Sequence, residues 1–221
     1  MREPAAGAGA LVLDRVRLAL AGKLLMDLSL AVPPGEVVTV MGPSGAGKSA
    51  LLAYLCGTLP GEFEATGTVT LAGRRLDGLP PERRRVGILF QDDLLFPHLS
   101  VAGNLAFALP ASVRGRAERR ARVEAALAEA DLAGFGGRDP ATLSGGQRAR
   151  VSLMRVILSE PEALLLDEPF SKLDVELRER FRRFVFEEVR ARRLPALMVT
   201  HDPADAVAAG GPVVRVGQQG G

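Results

Sequence analysis

Cysteine occurs once in the 221 residues, at Cys56. A lone thiol excludes an intrachain disulfide and a cysteine-built zinc cluster, and it fits a reducing compartment better than a disulfide-stapled secreted domain. Lysine is nearly as scarce: Lys23, Lys48 and Lys172 are three among 28 basic residues, the rest being arginine. With 26 acidic residues the net charge is only +2, which argues neither for nor against nucleic acid. No apolar run approaches the roughly 18 residues of a membrane span. The apolar stretch from Ala5 to Leu13 is short and runs into Asp14 and Arg15, without the basic start and cleavage site of a signal peptide. The expectation is a cytoplasmic chain that meets a membrane only through a partner. At 47% hydrophobic and 24% charged residues, extensive disorder is excluded, and the length suits one large domain or one domain in two lobes.

Apolar and charged residues alternate from Leu11 to Leu20 and again from Leu24 to Val32, predicting half-buried strands that end at the Pro33-Pro34-Gly35 turn. Val37 to Met41 carries no charge and is β-branched, as in a strand buried on both faces of a parallel sheet. Further strands are expected at Thr66–Leu71, Val86–Phe90, Ala163–Leu166, Pro195–Thr200 and Val213–Val216, and the tail from Gly217 is expected to fray. Helices are expected at Lys48–Cys56, Arg114–Leu132, Ser144–Leu158 and Asp174–Arg192. The second of these puts Val123, Ala126, Leu127 and Ala130 on one face, and the last turns Phe181, Phe184, Val185 and Val189 inward. The arginines at 114, 116, 119, 120 and 122 read as a solvated helix face rather than a nucleic-acid patch. Strand-rich ends and a helical middle, roughly 92–158, describe an α/β core interrupted by a helical lobe.

Gly42-Pro43-Ser44-Gly45-Ala46-Gly47-Lys48-Ser49 fits G-x-x-x-x-G-K-[ST] between a strand and a helix. Backbone N–H groups freed by the glycines converge on phosphate oxygens, and the helix dipole reinforces them. Lys48 is placed to reach the β- and γ-phosphates and Ser49 to bind Mg²⁺. A GTPase reading fails on context. Ser171-Lys-Leu-Asp174 follows the Asp-Glu pair instead of a later strand, and the glycine of Asp131-Leu-Ala-Gly134 sits where a helix cap belongs. Leu164-Leu-Leu-Asp167-Glu168-Pro169 is a buried strand ending in two carboxylates, of which Asp167 can hold Mg²⁺ and Glu168 can activate water. Mutual repulsion makes that pair a poor purely structural cap. Leu143-Ser144-Gly145-Gly146-Gln147 opens a helix with an N-capping serine, a second place where an anion can bind.

In this order the motifs resemble the ATP-binding cassette of ABC transporters, from about Leu11 to Ala208. The resemblance implies a P-loop NTPase core with a mainly parallel sheet, an N-terminal antiparallel β portion and an inserted helical subdomain. It implies a single ATPase domain, with 1–91 and 159–221 as core and 92–158 as signature subdomain. It implies ATP and Mg²⁺, held by residues 42–50 (including Ala50, where the family usually has a hydroxyl), by Ser144, Gly145, Gly146 and Gln147, and for the metal by Ser49, Gln91 and Asp167. Gln91 matches the family's Q-loop glutamine, Ser171–Asp174 its D-loop, and His201 its switch histidine; His98 reads as a bystander. Glu168, His201, Gln91 and Lys48 are thereby implied in catalysis. Two chains would sandwich each ATP between one phosphate loop and the partner's signature, in a symmetric homodimer.

Two departures stand out. No aromatic precedes Tyr54, so Leu20 takes the approximate place of the residue that stacks on adenine, at a loss of about 1 kcal/mol of base binding and with lax purine choice expected. Lys172 is unusual in its D-loop position. The stretch from Gln91 to Leu105 is similar to that of importer ATPase subunits, which implies separate membrane permease subunits, with a solute-binding protein acting on them; nucleic acid is not an expected partner. Phe96 and Leu99 either offer a groove to a permease helix or are buried in the helical lobe. The sequence ends soon after His201, leaving no room for the regulatory domain of sugar-importer ATPases. A soluble ABC ATPase acting on ribosomes or DNA is the alternative, disfavoured by a single cassette without long heptads; a regulatory nucleotide binder without turnover is disfavoured by Glu168 and His201.

Overall fold

The computed structural model describes residues 9–217. Apart from Gly217, the expected fraying tail lies outside them, as does the start of the apolar N-terminal stretch. The described residues form two compact units. One holds 9–88, Glu162–Glu168 and 186–217; the other holds Leu89–Pro161 and Pro169–Val185.

The first unit carries two sheets. Strands β1 (Leu11–Leu20), β2 (Lys23–Val32), β4 (Phe63–Leu71) and β5 (Arg74–Arg75) make an antiparallel sheet in the order β2-β1-β4-β5. Alternation works as expected in β1: Leu11, Leu13, Val16 and Leu18 are buried while charged neighbours face out. A bulge between Asp14 and Arg17 shifts the register against β4, and Gly67 opposite it leaves no room for a side chain, because a Cβ would lie 2.4 Å from the Arg15 carbonyl. The second sheet has the order β6-β7-β8-β3-β9, from β3 (Val37–Met41), β6 (Val86–Leu89), β7 (Ala163–Asp167), β8 (Ala196–Thr200) and β9 (Val213–Arg215). The pairs β3–β8, β7–β8 and β3–β9 are parallel. The charge-free runs of β3 and β8 are buried throughout, as the middle of such a sheet demands, while β9 at its edge is largely exposed.

Helix α1 (Lys48–Cys56) follows β3 and buries Leu51, Leu52 and Leu55 in the core formed with Val38, Val40, Leu165, Leu197 and Val199. Its far end is fixed by Arg84, which closes the short helix α2 (Pro81–Arg84). Arg84 is buried and donates to the carbonyls of Tyr54 (2.6 Å) and Leu55 (3.1 Å) in the last turn of α1, where Tyr54 O also accepts from Gly57 N (3.2 Å). A cation at that end also suits the helix dipole. Cys56 lies half-buried nearby; burial pushes its thiol up to about 11, so it is a packing residue and not a thiolate at neutral pH.

The second unit is helical. Helices α3 (Val101–Ala108), α4 (Arg116–Glu129) and α5 (Gly145–Leu158) pack together. The expected face of α4 is the buried one, through Val123, Ala126, Leu127 and the following Ala130. Helix α6 (Val175–Ala191) begins here and ends in the first unit; it buries Phe181, Val185 and Val189 as expected, and Phe186 as well, while Phe184 stays half-buried. Helix α3 escaped the sequence reading because Val101-Ala-Gly-Asn-Leu-Ala-Phe-Ala has little amphipathic contrast. It is defined by its cap, Ser100 accepting from Gly103 N, and by the fully buried Asn104. Helix α7 (Pro203–Ala209), also not anticipated, is capped by Asp202.

Candidate active site

Strands β7, β8 and β3 are neighbours in the second sheet, and each ends at its carboxyl edge in a group singled out above. Ligands bind at that edge of open parallel sheets because the loops, and not the packed faces, meet solvent there. The loop after β3 runs from Gly42 to Gly47. Gly42 must lack a side chain because a Cβ would stand 2.6 Å from the Val216 carbonyl. Gly47 takes the left-handed conformation, φ 82°, and launches α1 without a side-chain cap. The first N–H groups of α1 are thereby left facing the loop. Lys48 is buried, and its ammonium donates to the carbonyls of Gly42 (2.7 Å) and Pro43 (2.9 Å). The loop therefore carries its own cation inside, braced on backbone oxygen, with Ser44, Gly45 and Ser49 exposed, Ala46 buried and Ala50 half-buried.

Asp167 closes β7 and Glu168 follows. Burial, and then the neighbouring Glu168 charge, push the Asp167 carboxyl above the usual range, with Lys48 opposing. Glu168 adopts φ 44°, a strained backbone for a residue with a side chain. Its N–H still donates to the Val199 carbonyl at 3.0 Å, so the strand register survives while the side chain leaves the sheet. His201 follows β8, and its Nδ1 lies 2.9 Å from Glu168 Oε2. The turn that holds His201 is fixed from below: Thr200 Oγ1 donates to the buried Asp205 carboxylate (2.9 Å) and accepts from Asp202 N (3.0 Å). Lys48, Asp167, Glu168 and His201 thus belong to one unit and one edge.

The oxygen donors available there are a half-buried carboxylate and the Ser49 hydroxyl on the first turn of α1. That is a hard-donor set suited to Mg²⁺ completed by phosphate and water, and the repulsion between Asp167 and Glu168 favours a cation beside them.

Gln91 and the signature residues lie in the other unit. Gln91 is exposed after β6. Ser144 caps α5 in a reciprocal box: Gln147 N donates to Ser144 Oγ (3.3 Å), and Ser144 N to Gln147 Oε1 (2.9 Å). Gly146 is buried with Leu177 against it, so a Cβ would come within 3.1 Å. The box pairs Ser144 N and Gln147 N and leaves the first amides of α5, at half-exposed Gly145 and buried Gly146, outside it.

Beside the phosphate loop lies a cavity of about 530 Å³ lined by Lys23 to Asp27, Pro43 to Ala46 and Arg215 to Gly217. Leu20 does not line it; it ends β1, paired with Lys23 and Phe63. The apolar wall comes instead from Leu24 and Leu25, past a turn in which Ala21 and Gly22 both take positive φ. The Ala21-Gly22 pair is the sequence signal for this turn. His98 is exposed and lies beside the Phe96 ring, with centroids 5.9 Å apart.

Comparison with known proteins settles the family. The ABC transporter family model matches residues 25–171. The chain belongs to the ATP-binding proteins of ABC transporters. This cassette is 53% identical over 186 residues to the ABC transporter ATP-binding protein YnjD of Escherichia coli, covering 84% of this chain and 85% of that one. It is 41% identical over 201 residues to the Fe(3+) ions import ATP-binding protein FbpC of Agrobacterium fabrum, covering 90% of this chain and 56% of the relative. With the sulfate/thiosulfate import ATP-binding protein CysA of Mycobacterium tuberculosis it shares 41% over 183 residues, 83% of this chain and 51% of the relative. The cassette spans about half the length of these import relatives. The cassette binds ATP and, like its family, hydrolyses it.

Two outcomes are expected of this site. Glu168→Gln should retain ATP binding while turnover falls about 10²- to 10⁴-fold, checked by nucleotide binding and phosphate release; near-normal turnover would remove Glu168 from the reaction. Asp167 is held protonated to higher pH in the folded chain than in the unfolded one. The stability of the ligand-free protein therefore falls as pH rises from the ordinary carboxylate value to the raised one. Asp167→Asn should accordingly unfold at a higher temperature than the native chain at pH 7 without ligand, with the advantage shrinking on acidification. A lower melting temperature at pH 7 would contradict the assignment.

Proposed function

We propose that this ATPase powers the uptake of a solute through separate membrane subunits, working as a head-to-tail homodimer that encloses two ATP molecules. The observation that carries the reading is the division of labour in the fold. A phosphate loop, two carboxylates and a histidine share one sheet edge, while the start of α5, capped by the exposed Ser144, is a second helix N-terminus suited to an anion. A second copy provides that anion as the γ-phosphate of its ATP.

Within each half-site Lys48 and the amides of residues 45–49 take the β- and γ-phosphates, and Glu168 orients and deprotonates the attacking water. His201, braced by Thr200 and Asp205, contacts the γ-phosphate and holds the Glu168 carboxylate. Ser49 and Asp167 would hold Mg²⁺, which would neutralise phosphate charge. Leu24 and Leu25 offer the base an apolar wall in place of an aromatic ring. The cassette is read as one ATPase domain with the signature stretch 92–158 inserted into its core; the compact units draw the line differently from the sequence, placing Gln91 and Pro169–Val185 with the helical part.

No helix among the described residues is long and apolar enough to cross a membrane; in this proposal the translocation path lies in separate chains. An apolar patch suits such a partner. Leu94 and Phe107 are 55% and 68% exposed, and the Phe107 ring packs edge-on against half-buried Phe96, with centroids 4.9 Å apart. A short helix of a permease docks there and holds the cassette on the inner face of the membrane. Uptake is the direction because FbpC and CysA are import proteins by name. Solute choice lies with the permease and a solute-binding protein acting on it.

The test is a pull-down from solubilised native membranes with tagged Glu168→Gln chain and ATP. A stoichiometric polytopic membrane protein is expected. Recovery of soluble factors or nucleic acid alone would keep the cassette and overturn the transport assignment.

A further inference from the structure

Gln91 is followed by two adjacent carboxylates whose partners lie on different segments of the second unit. Asp92 pairs with the Lys172 ammonium. Asp93 Oδ2 accepts from Arg148 Nε at 3.2 Å. Arg148 simultaneously donates to the Leu143 carbonyl at 2.6 Å, immediately before the capping Ser144. One turn and two turns further along α5, Ser152 Oγ donates to the Asp93 carbonyl (2.9 Å) and Arg155 to the Leu94 carbonyl (2.7 Å). One face of α5 therefore grips residues 93–94 at three successive turns.

A cavity of about 280 Å³ lies among these segments, lined by Gln91, Asp92, Asp93, Gly145, Arg148 and Lys172 with their apolar neighbours. Where side chains interdigitate, packing fixes the distance between segments. Across this void the ion pairs supply the crossing links between them. Burial pushes the Asp93 carboxyl up and Arg148 opposes it, so the buried side of the link depends on its cation. Pairs this exposed add little to global stability; their effect is on geometry.

We propose that Asp92, Asp93, Lys172 and Arg148 form an ionic clasp that keeps the Gln91 stretch, the Ser144 helix start and the 171–174 stretch in one register. Lys172 and Arg148 are thereby positioning residues for ATP turnover. The inference rests on the roles given above to Gln91 and Ser144. Neither cation is asked to touch nucleotide, and the phosphate loop is in the other unit, so breaking the clasp should lower kcat and spare KM. Small misplacements of reacting groups are costly to rate.

The test uses the full chain as Lys172→Met, Asp92→Asn, Arg148→Met, Asp93→Asn and the paired doubles, with Lys172→Arg as the conservative control. Each single change is expected to lower kcat about ten-fold with KM for ATP within about two-fold. Each double should be no worse than its worse single, because the partners act through one link, and Lys172→Arg should retain most of the activity. Hydrogen exchange is measured alongside, since it needs no turnover. Arg148→Met should speed exchange in residues 91–94 and 143–147 together. Losses that multiply in the doubles, unchanged kcat, a rise in KM, or exchange confined to the mutated segment would each overturn the clasp. A native chain that bound no ATP but showed the coupled exchange would contradict the function while leaving the clasp standing.

Discussion

Parallel strands buried on both faces can offer chemistry only at their ends, and this constraint organises the whole cassette. The faces of β3, β7 and β8 are given over to valine, leucine and methionine packed against helices and the antiparallel sheet. Polar function is expelled to the carboxyl edge, where the three strands stop side by side. The phosphate loop, the Asp-Glu pair and His201 are distant in sequence, and register alone makes them neighbours: Asp167 pairs with Val199, and Met41 with Thr200. Arg84 at the base of α1 serves the same constraint from below, because a helix pinned at its last carbonyls holds its first amides still.

At that edge charges of opposite sign are kept apart from ideal partners. Lys48 is braced on backbone carbonyls and not on a carboxylate. Asp167 and Glu168 sit side by side, and Asp167 is driven toward its neutral form by burial and its neighbour. A triphosphate with its cation would relieve both halves of this arrangement at once. The positive φ of Glu168 is in keeping with a site where strain holds a reacting group outside the strand.

Fold and site are legible in the sequence wherever a local rule acts alone. Charge-free runs gave the strands of the parallel sheet, alternation gave β1 and β2, and i, i+3, i+4, i+7 spacing gave the buried face of α4. Motif residues were found from their position at strand ends. The remainder depends on contacts that no local pattern encodes. Helix α3 hides its single buried polar group, Asn104, whose side chain satisfies Phe96 N and the carbonyls of Phe96, Leu99 and Ser100. The wall beside the phosphate loop falls to Leu24 and Leu25 and not to Leu20, because the β1–β2 turn lifts the start of β2 over the loop. The pairing of Asp93 with Arg148 spans 55 residues and follows from tertiary packing. Lys172 is conspicuous in the sequence as one of three lysines, but its pairing with Asp92, 80 residues away, follows from tertiary packing.

In the proposed homodimer one chain holds half of each ATP site and a second copy completes it. Light scattering on Glu168→Gln, with and without Mg²⁺-ATP, tests this most directly. The 23.3 kDa chain should be monomeric without nucleotide and double its mass with ATP but not with ADP. A mass unchanged by ATP, or a dimer indifferent to nucleotide, would contradict it.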